Sequence, residues 1–258
     1  MEEILKVEGL SKTFNLSQKQ QKIERTTAKR KVAVDDLTFS AYRGEIFGLL
    51  GPNGAGKTTT LRMLSTLIRP DSGDAWLDGC SVVEQPADVR TKIGFLTSEL
   101  KLEDFFTPNY LFDFFSRLHQ VEPAVAAERK RAMFSRFGID RFAEVKVANL
   151  STGMKQKLSL VISLVHNPEV IIFDEPTNGL DVLTARTVTD YLQELRAEGK
   201  TIILSTHIFS LVERLCDRVG IIIDGRLTNC GSLAEVCDGL PIEDRFFEIY
   251  KVVKGGEE

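Results

Sequence analysis

With 258 residues, 43% of them hydrophobic and 27% charged, the chain has the composition of an ordinary globular protein and enough length to bury one large α/β core. A net charge of −4 gives no overall attraction for nucleic acid, so any basic surface must be local. The start, Met1-Glu2-Glu3-Ile4, has no apolar signal core, and no apolar run approaches the ~18–20 residues that cross a bilayer, so the expectation is a cytoplasmic chain.

Ile4–Val7 reads as a short strand, and Val32–Phe39 alternates apolar and polar residues as a second strand should. Between them, Asn15–Lys31 carries Lys19, Lys22, Arg25, Lys29, Arg30 and Lys31 against Glu24 alone, with almost no apolar side chains. Such a stretch cannot contribute to a core and reads as a solvated, mobile loop; the alternative is a basic arm that touches lipid headgroups or a partner. The apolar run Ile46–Leu50 then leads into Gly51-Pro52-Asn53-Gly54-Ala55-Gly56-Lys57-Thr58, followed by Thr59, which fits G-x-x-x-x-G-K-[ST] between a strand and a helix. The glycines let backbone N–H groups converge on phosphate oxygens at the positive end of a helix. Lys57 supplies a point charge to the β- and γ-phosphates, and Thr58 a hydroxyl for Mg²⁺. A Gly-rich turn that merely opens a helix is the competing reading, and the presence of both required neighbours argues against it.

The helix continues over Thr59–Leu67 towards Pro70, and strands follow at Asp74–Leu77 and Ile93–Leu96. From Pro108 to Phe137 the pattern turns helical, with helices over Tyr110–Leu118 and Ala124–Phe137, an insert rich in phenylalanine at 105, 106, 112, 114 and 115. Helices are expected at Gly153–Val165, Val182–Glu198 and Ile208–Cys216, alternating with the unbroken apolar strands Val170–Phe173, Thr201–Ser205 and Val219–Ile223. Strands without alternation, separated by helices, indicate a parallel sheet buried on both faces. Asp224-Gly225 makes a hairpin turn, and terminal helices are expected at Ser232–Val236 and Glu243–Val252.

The strand Val170–Phe173 ends in Asp174-Glu175, where an α/β sheet exposes catalytic groups at its carboxyl edge. Asp174 is expected to hold Mg²⁺ beside Thr58, and Glu175 to act as general base on water that attacks the γ-phosphate. A helix cap before Pro176 is the bland alternative. His207, just past the strand Thr201–Ser205, is positioned to reach the γ-phosphate or to orient Glu175, whereas His119 and His166 read as structural. Cys80, Cys216, Cys230 and Cys237 form no C-x-x-C pair and read as reduced and structural, with no zinc expected.

Leu150-Ser-Thr-Gly-Met-Lys-Gln156 resembles the LSGGQ signature of ATP-binding-cassette (ABC) ATPases, and it lies between the phosphate loop and Asp174-Glu175 as in that family. The resemblance covers nearly the whole chain. It implies an α/β P-loop NTPase fold: a mainly parallel RecA-like core with an antiparallel β subdomain (1–97 and 157–258), a helical subdomain (98–156) and the basic insert at 15–31. It also implies a head-to-tail homodimer with two ATP at its interface, in which Ser151 and Gly153 cap the γ-phosphate held by the other protomer. Asn178–Asp181 is similar to the D-loop, with Asp181 at cross-dimer contacts, and Ser205–His207 to the H-switch. Phe14 takes the place of the aromatic that stacks on adenine. Two departures stand out: Ser98 occupies the Q-loop position where Gln reaches Mg²⁺ and would need a bridging water, and Thr152 and Met154 replace Gly and Gln in the signature. The S-T-G-M-K-Q form resembles the branch of drug- and sodium-export ATPases, and Gly94–Leu100 with the basic insert is most similar to ATPase subunits of sodium-extruding exporters. What the resemblance implies is an ATP-hydrolysing, Mg²⁺-dependent subunit at the inner face of the membrane, driving a separate integral membrane permease. A soluble ABC ATPase acting on nucleic acid or ribosomes would need a second cassette or a long coiled coil, which the chain lacks, and a GTPase would need N-K-x-D; no nucleic acid partner is expected.

Overall fold

The computed structural model describes residues 2–23, 26–97 and 102–255. Strand β1 (Glu3–Asn15) is followed by the short helix α1 (Gln18–Ile23), then β2 (Arg30–Tyr42) and β3 (Ile46–Leu50). The phosphate loop opens α2 (Lys57–Leu64), after which come β4 (Ser72–Leu77), β5 (Cys80–Ser81), α3 (Pro86–Lys92) and β6 (Ile93–Thr97). The helical insert contains α4 (Pro108–Leu118) and α5 (Pro123–Phe137) and leads to α6 (Thr152–Ser163). The chain then alternates β7 (Val170–Asp174), α7 (Val182–Ala197), β8 (Thr201–Thr206), α8 (Phe209–Leu215) and β9 (Arg218–Ile223), and ends with β10 (Arg226–Ser232), α9 (Leu233–Cys237) and α10 (Ile242–Gly255).

A six-stranded sheet runs β10-β9-β3-β8-β7-β6, parallel throughout except for the last hairpin strand, β10. Every residue of β3, β7 and β8 is buried, which is why these strands are apolar without alternation. Successive side chains point to opposite faces, and the core divides accordingly. Ile171, Phe173 and Leu204 pack with α6, α7, α8 and the insert's Phe112, Phe134 and Phe137. Ile172, Ile203, Phe47 and Leu49 pack on the other face with Leu61 and Met63 of α2 and with a four-stranded antiparallel sheet, β2-β1-β4-β5. Phe39 of that sheet stacks on Phe47 at 5.1 Å. The hairpin between β9 and β10 needs two left-handed residues, which Asp224 (φ 48°) and Gly225 (φ 82°) supply.

The main difference from the sequence reading lies in the basic segment. β1 and β2 extend as one long hairpin, pairing Phe14 with Lys31 and Asn15 with Arg30, and α1 occupies much of the connection. Composition found no core there, and the lysines are indeed exposed; main-chain pairing, which needs no apolar side chains, carries the strands outward. β5 and α3 were not anticipated, and α4 and α5 begin earlier than expected because Pro108 and Pro123 fill the first helical position, capped by Thr107 and Glu122. The aromatics of the insert divide: Phe112 is fully buried, whereas Phe105 (62% exposed), Tyr110 (43%) and Phe114 (42%) stand at the surface.

Candidate nucleotide-binding site

Parallel register sets the site. Leu50 pairs with Thr206 and Asp174 with Ser205, so β3, β8 and β7 end side by side and present Gly51, His207 and Glu175 along one edge of the sheet. The phosphate loop is pressed against the sheet so closely that a Cβ on Gly51 would lie 2.2 Å from the Ile222 carbonyl oxygen. Gly56 has φ 105°, and a Cβ there would meet the Ala33 carbonyl oxygen at 2.3 Å. These two positions accept only glycine, and the loop is thereby held open as a cradle of backbone groups.

Lys57 is 5% exposed and donates to the carbonyls of Gly51 (2.7 Å) and Pro52 (3.2 Å). Its Nζ lies 3.5 Å from Glu175 Oε1. Burial lowers the Lys57 pKa, opposed by the charges of Glu175 and Asp174. Thr58 Oγ1 donates to Asp174 Oδ1 at 3.0 Å, and buried Ser205 Oγ donates to the same oxygen at 2.5 Å. Ser205 Oγ also accepts from the Glu175 N–H at 3.2 Å, so one hydroxyl ties both acidic residues to β8. Glu175 has φ 53°, a left-handed conformation that costs about 1–3 kcal/mol outside glycine and is characteristic of functional positions. Its Oε1 meets His207 Nδ1 at 3.0 Å, whereas its Oε2 is buried with no hydrogen-bond partner.

These observations fit a triphosphate with a divalent cation. A hydroxyl and one carboxylate form a sparse, all-oxygen donor set, suited to Mg²⁺, which keeps most of its ligands as water and substrate phosphate. The orphaned Oε2 is a buried acceptor without a donor, so one oxygen of the carboxylate is left unspent by the protein's own hydrogen bonds. Among the described residues no cluster of three or more His, Cys, Asp or Glu forms a separate metal site, and the four cysteines are free.

A cavity of about 400 Å³ is lined by Phe14, Asn53–Thr59 and Glu175, together with Leu16, Lys31 and Ala33. The last three were not singled out from the sequence. Cross-strand pairing explains them: Phe14 opposes Lys31, and alternation puts Leu16 on the face of Phe14 and Ala33 on the face of Lys31. Phe14 is 39% exposed, with Lys12 Nζ 5.9 Å from its ring centre. Ser151 and Asp181 stand elsewhere, at helix starts. Ser151 accepts from the Met154 N–H (3.3 Å), and Asp181 accepts from the N–H groups of Leu183 and Thr184. Gly153 faces Asp181, since a Cβ there would lie 3.8 Å from its Oδ2. None of the three lines the cavity of its own chain. Ser98 lies outside the described residues.

A family model described as "ABC transporter" matches residues 34–178. The ABC transporter ATP-binding protein NatA of Bacillus subtilis (strain 168) is 37% identical over 231 residues, covering 88% of this chain and 94% of that protein. The linearmycin resistance ATP-binding protein LnrL of the same organism is 34% identical over 211 residues, 82% of this chain and 68% of that one. A solved structure of the ATP binding subunit of an ABC transporter, 28% identical, superposes with a TM-score of 0.84 and covers 96% of this chain and 100% of its own.

Proposed function

The chain belongs to the ABC transporter family of ATP-binding subunits, and from that premise we propose that it hydrolyses ATP at the edge formed by β3, β7 and β8 to drive a separate membrane permease. The observation that carries the catalytic part is the buried Glu175 Oε2, an acceptor with no partner beside Lys57 and the open phosphate loop. Glu175 takes a proton from water as its oxygen attacks the γ-phosphorus, while the bond to the β-γ bridging oxygen breaks and ADP departs. His207 holds Glu175 Oε1, which leaves Oε2 to face the water. Lys57 turns from loop carbonyls and Glu175 to the β- and γ-phosphates, and Phe14 offers a ring face to adenine. Thr58 and Asp174 would hold Mg²⁺, which would neutralise charge on the phosphate oxygens.

Two chains work together in this reading. Ser151 and Gly153 begin a helix whose N–H groups suit an anion and lie outside the cavity of their own chain, which supports the reading, drawn from the resemblance, that they cap a phosphate held by the partner protomer. No helix among the described residues is long and apolar enough to cross a membrane, and the relation to ABC transporter ATP-binding proteins supports a translocation path in a separate permease. The exposed aromatics Phe105, Tyr110 and Phe114 offer that permease a contact surface.

For the cargo we propose sodium, extruded from the cell. The support is the similarity of Gly94–Leu100 and of the basic hairpin to sodium-exporting ATPase subunits, together with the relation to NatA. The LnrL relation supports a second reading, export of an antibiotic-like compound. Co-purifying the permease and measuring ATP-dependent flux of radiolabelled sodium in inverted vesicles tests the assignment: sodium accumulation supports it, and ATP turnover without sodium movement refutes it.

A further inference from the structure

His207 also borders a second cavity, of about 340 Å³, closed by the start of the phosphate loop, by Phe209 and by three aromatic side chains of α10, Phe246, Phe247 and Tyr250. The segment that carries His207 is held through the main chain of Thr206 and Ile208, on either side of the imidazole. Ile208 N–H donates to Thr206 Oγ1 at 3.0 Å, and α8 starts at Phe209 without a side-chain cap. Open space beside the imidazole means that close packing does not fix its position on that side. The firm contact comes two residues later: the Phe209 ring lies 5.3 Å from Phe246 and 6.0 Å from Phe247, which pack on each other at 5.7 Å. Phe246 further stacks with Tyr250 at 5.9 Å. The helix behind them is anchored, with Ile242, Phe246 and Ile249 buried and the Ile242 N–H bonded to Glu213 Oε1 of α8 at 3.3 Å.

We infer that Phe209, clamped by Phe246 and Phe247 of the C-terminal helix, is a positioning residue that holds His207 against Glu175. None of the three rings lines the nucleotide cavity. Its effect passes through the Thr206–Phe209 backbone to a hydrogen bond of 3.0 Å, and misplacement of a catalytic group by an ångström is enough to slow chemistry severely. The kinetic consequence rests on the reading of His207 given above; the geometric one does not.

The test uses Phe209→Ala and Phe247→Ala; Phe247 is 47% exposed, so its loss leaves the fold intact. The ¹⁵N resonances of the His207 imidazole in the nucleotide-free protein should shift in both variants, reporting a changed contact with Glu175. In steady-state assays kcat should fall about tenfold with the KM for ATP changed less than about twofold, and Phe209→Tyr should restore most of the rate. In a His207→Ala background either alanine substitution should leave kcat within about twofold. Unmoved imidazole resonances in both variants would overturn the clamp, as would the same fold-loss in kcat with and without His207. Wild-type turnover by His207→Ala alone would remove His207 from the reaction, and the imidazole resonances would then decide the clamp by themselves.

Discussion

Ser205→Ala isolates the hydroxyl that joins the two acidic residues. Ser205 is fully buried; its Oγ donates to Asp174 Oδ1 at 2.5 Å and accepts from the Glu175 N–H at 3.2 Å. Alanine fits the same space, so the loss is electrostatic. Asp174, only 4% exposed, would keep Thr58 as its remaining side-chain donor, and the Glu175 N–H would keep the Ser205 carbonyl at 3.2 Å. A hydrogen bond to a buried carboxylate contributes about 2 kcal/mol, which for a protein of this size corresponds to a fall of about 4–8 °C in melting temperature. The same change frees Asp174 to rotate away from Thr58, so turnover should fall about tenfold and the Mg²⁺ concentration for half-maximal activity should rise. Thermal melts without nucleotide and phosphate release across a Mg²⁺ titration measure both. A melting temperature within a degree of wild type, with unchanged Mg²⁺ dependence, would show that Ser205 does not tether the site.

Lys57→Ala should lower ATP turnover by at least about a hundredfold, since it removes the cation beside the γ-phosphate; steady-state phosphate release at saturating ATP is the check, and a wild-type rate refutes the role. Glu175→Gln should run as an ATP-dependent dimer on a sizing column, and adding Ser151→Arg should return it to monomer by filling the helix start with a bulky cation; a dimer that survives Ser151→Arg removes that residue from the interface. Acid stability should follow His166, stacked on His119 at 3.9 Å and hydrogen-bonded through Nε2 to the Ile93 carbonyl. Burial, then His119 and the cations Arg129 and Lys200, hold its pKa down at about 4 against 6.5 when unfolded. A depressed pKa means that the unfolded chain takes up the proton first, so the contribution is complete above pH 6.5 and is lost as pH falls towards about 4; His166→Leu should flatten that limb of a denaturation series, and an unchanged limb refutes the assignment.

The sheet core was legible because strands such as Val170–Asp174 and Thr201–Thr206 are buried along their whole length and therefore apolar along it. The phosphate loop and Asp174-Glu175 were legible because their chemistry demands fixed residue types at fixed spacing. What the sequence concealed depends on register. Nothing local to Ser205 says that it faces Asp174, thirty-one positions away; the pairing of β7 with β8 decides that. Leu16 and Lys31 looked like parts of a solvated loop, because only the β1–β2 pairing turns them towards the nucleotide cavity. The short strand β5 and helix α3 escaped for a simpler reason. Two residues of strand and seven of helix, with Val89 alone buried in the latter, carry almost no periodic signal.

The most direct test of the account is the rate of phosphate release from saturating ATP and Mg²⁺ by Glu175→Gln. Glutamine keeps the shape of the side chain and its contact with His207 but cannot accept a proton from water, so the account predicts a loss of at least about a hundredfold with ATP still bound. Hydrolysis at the wild-type rate would contradict it.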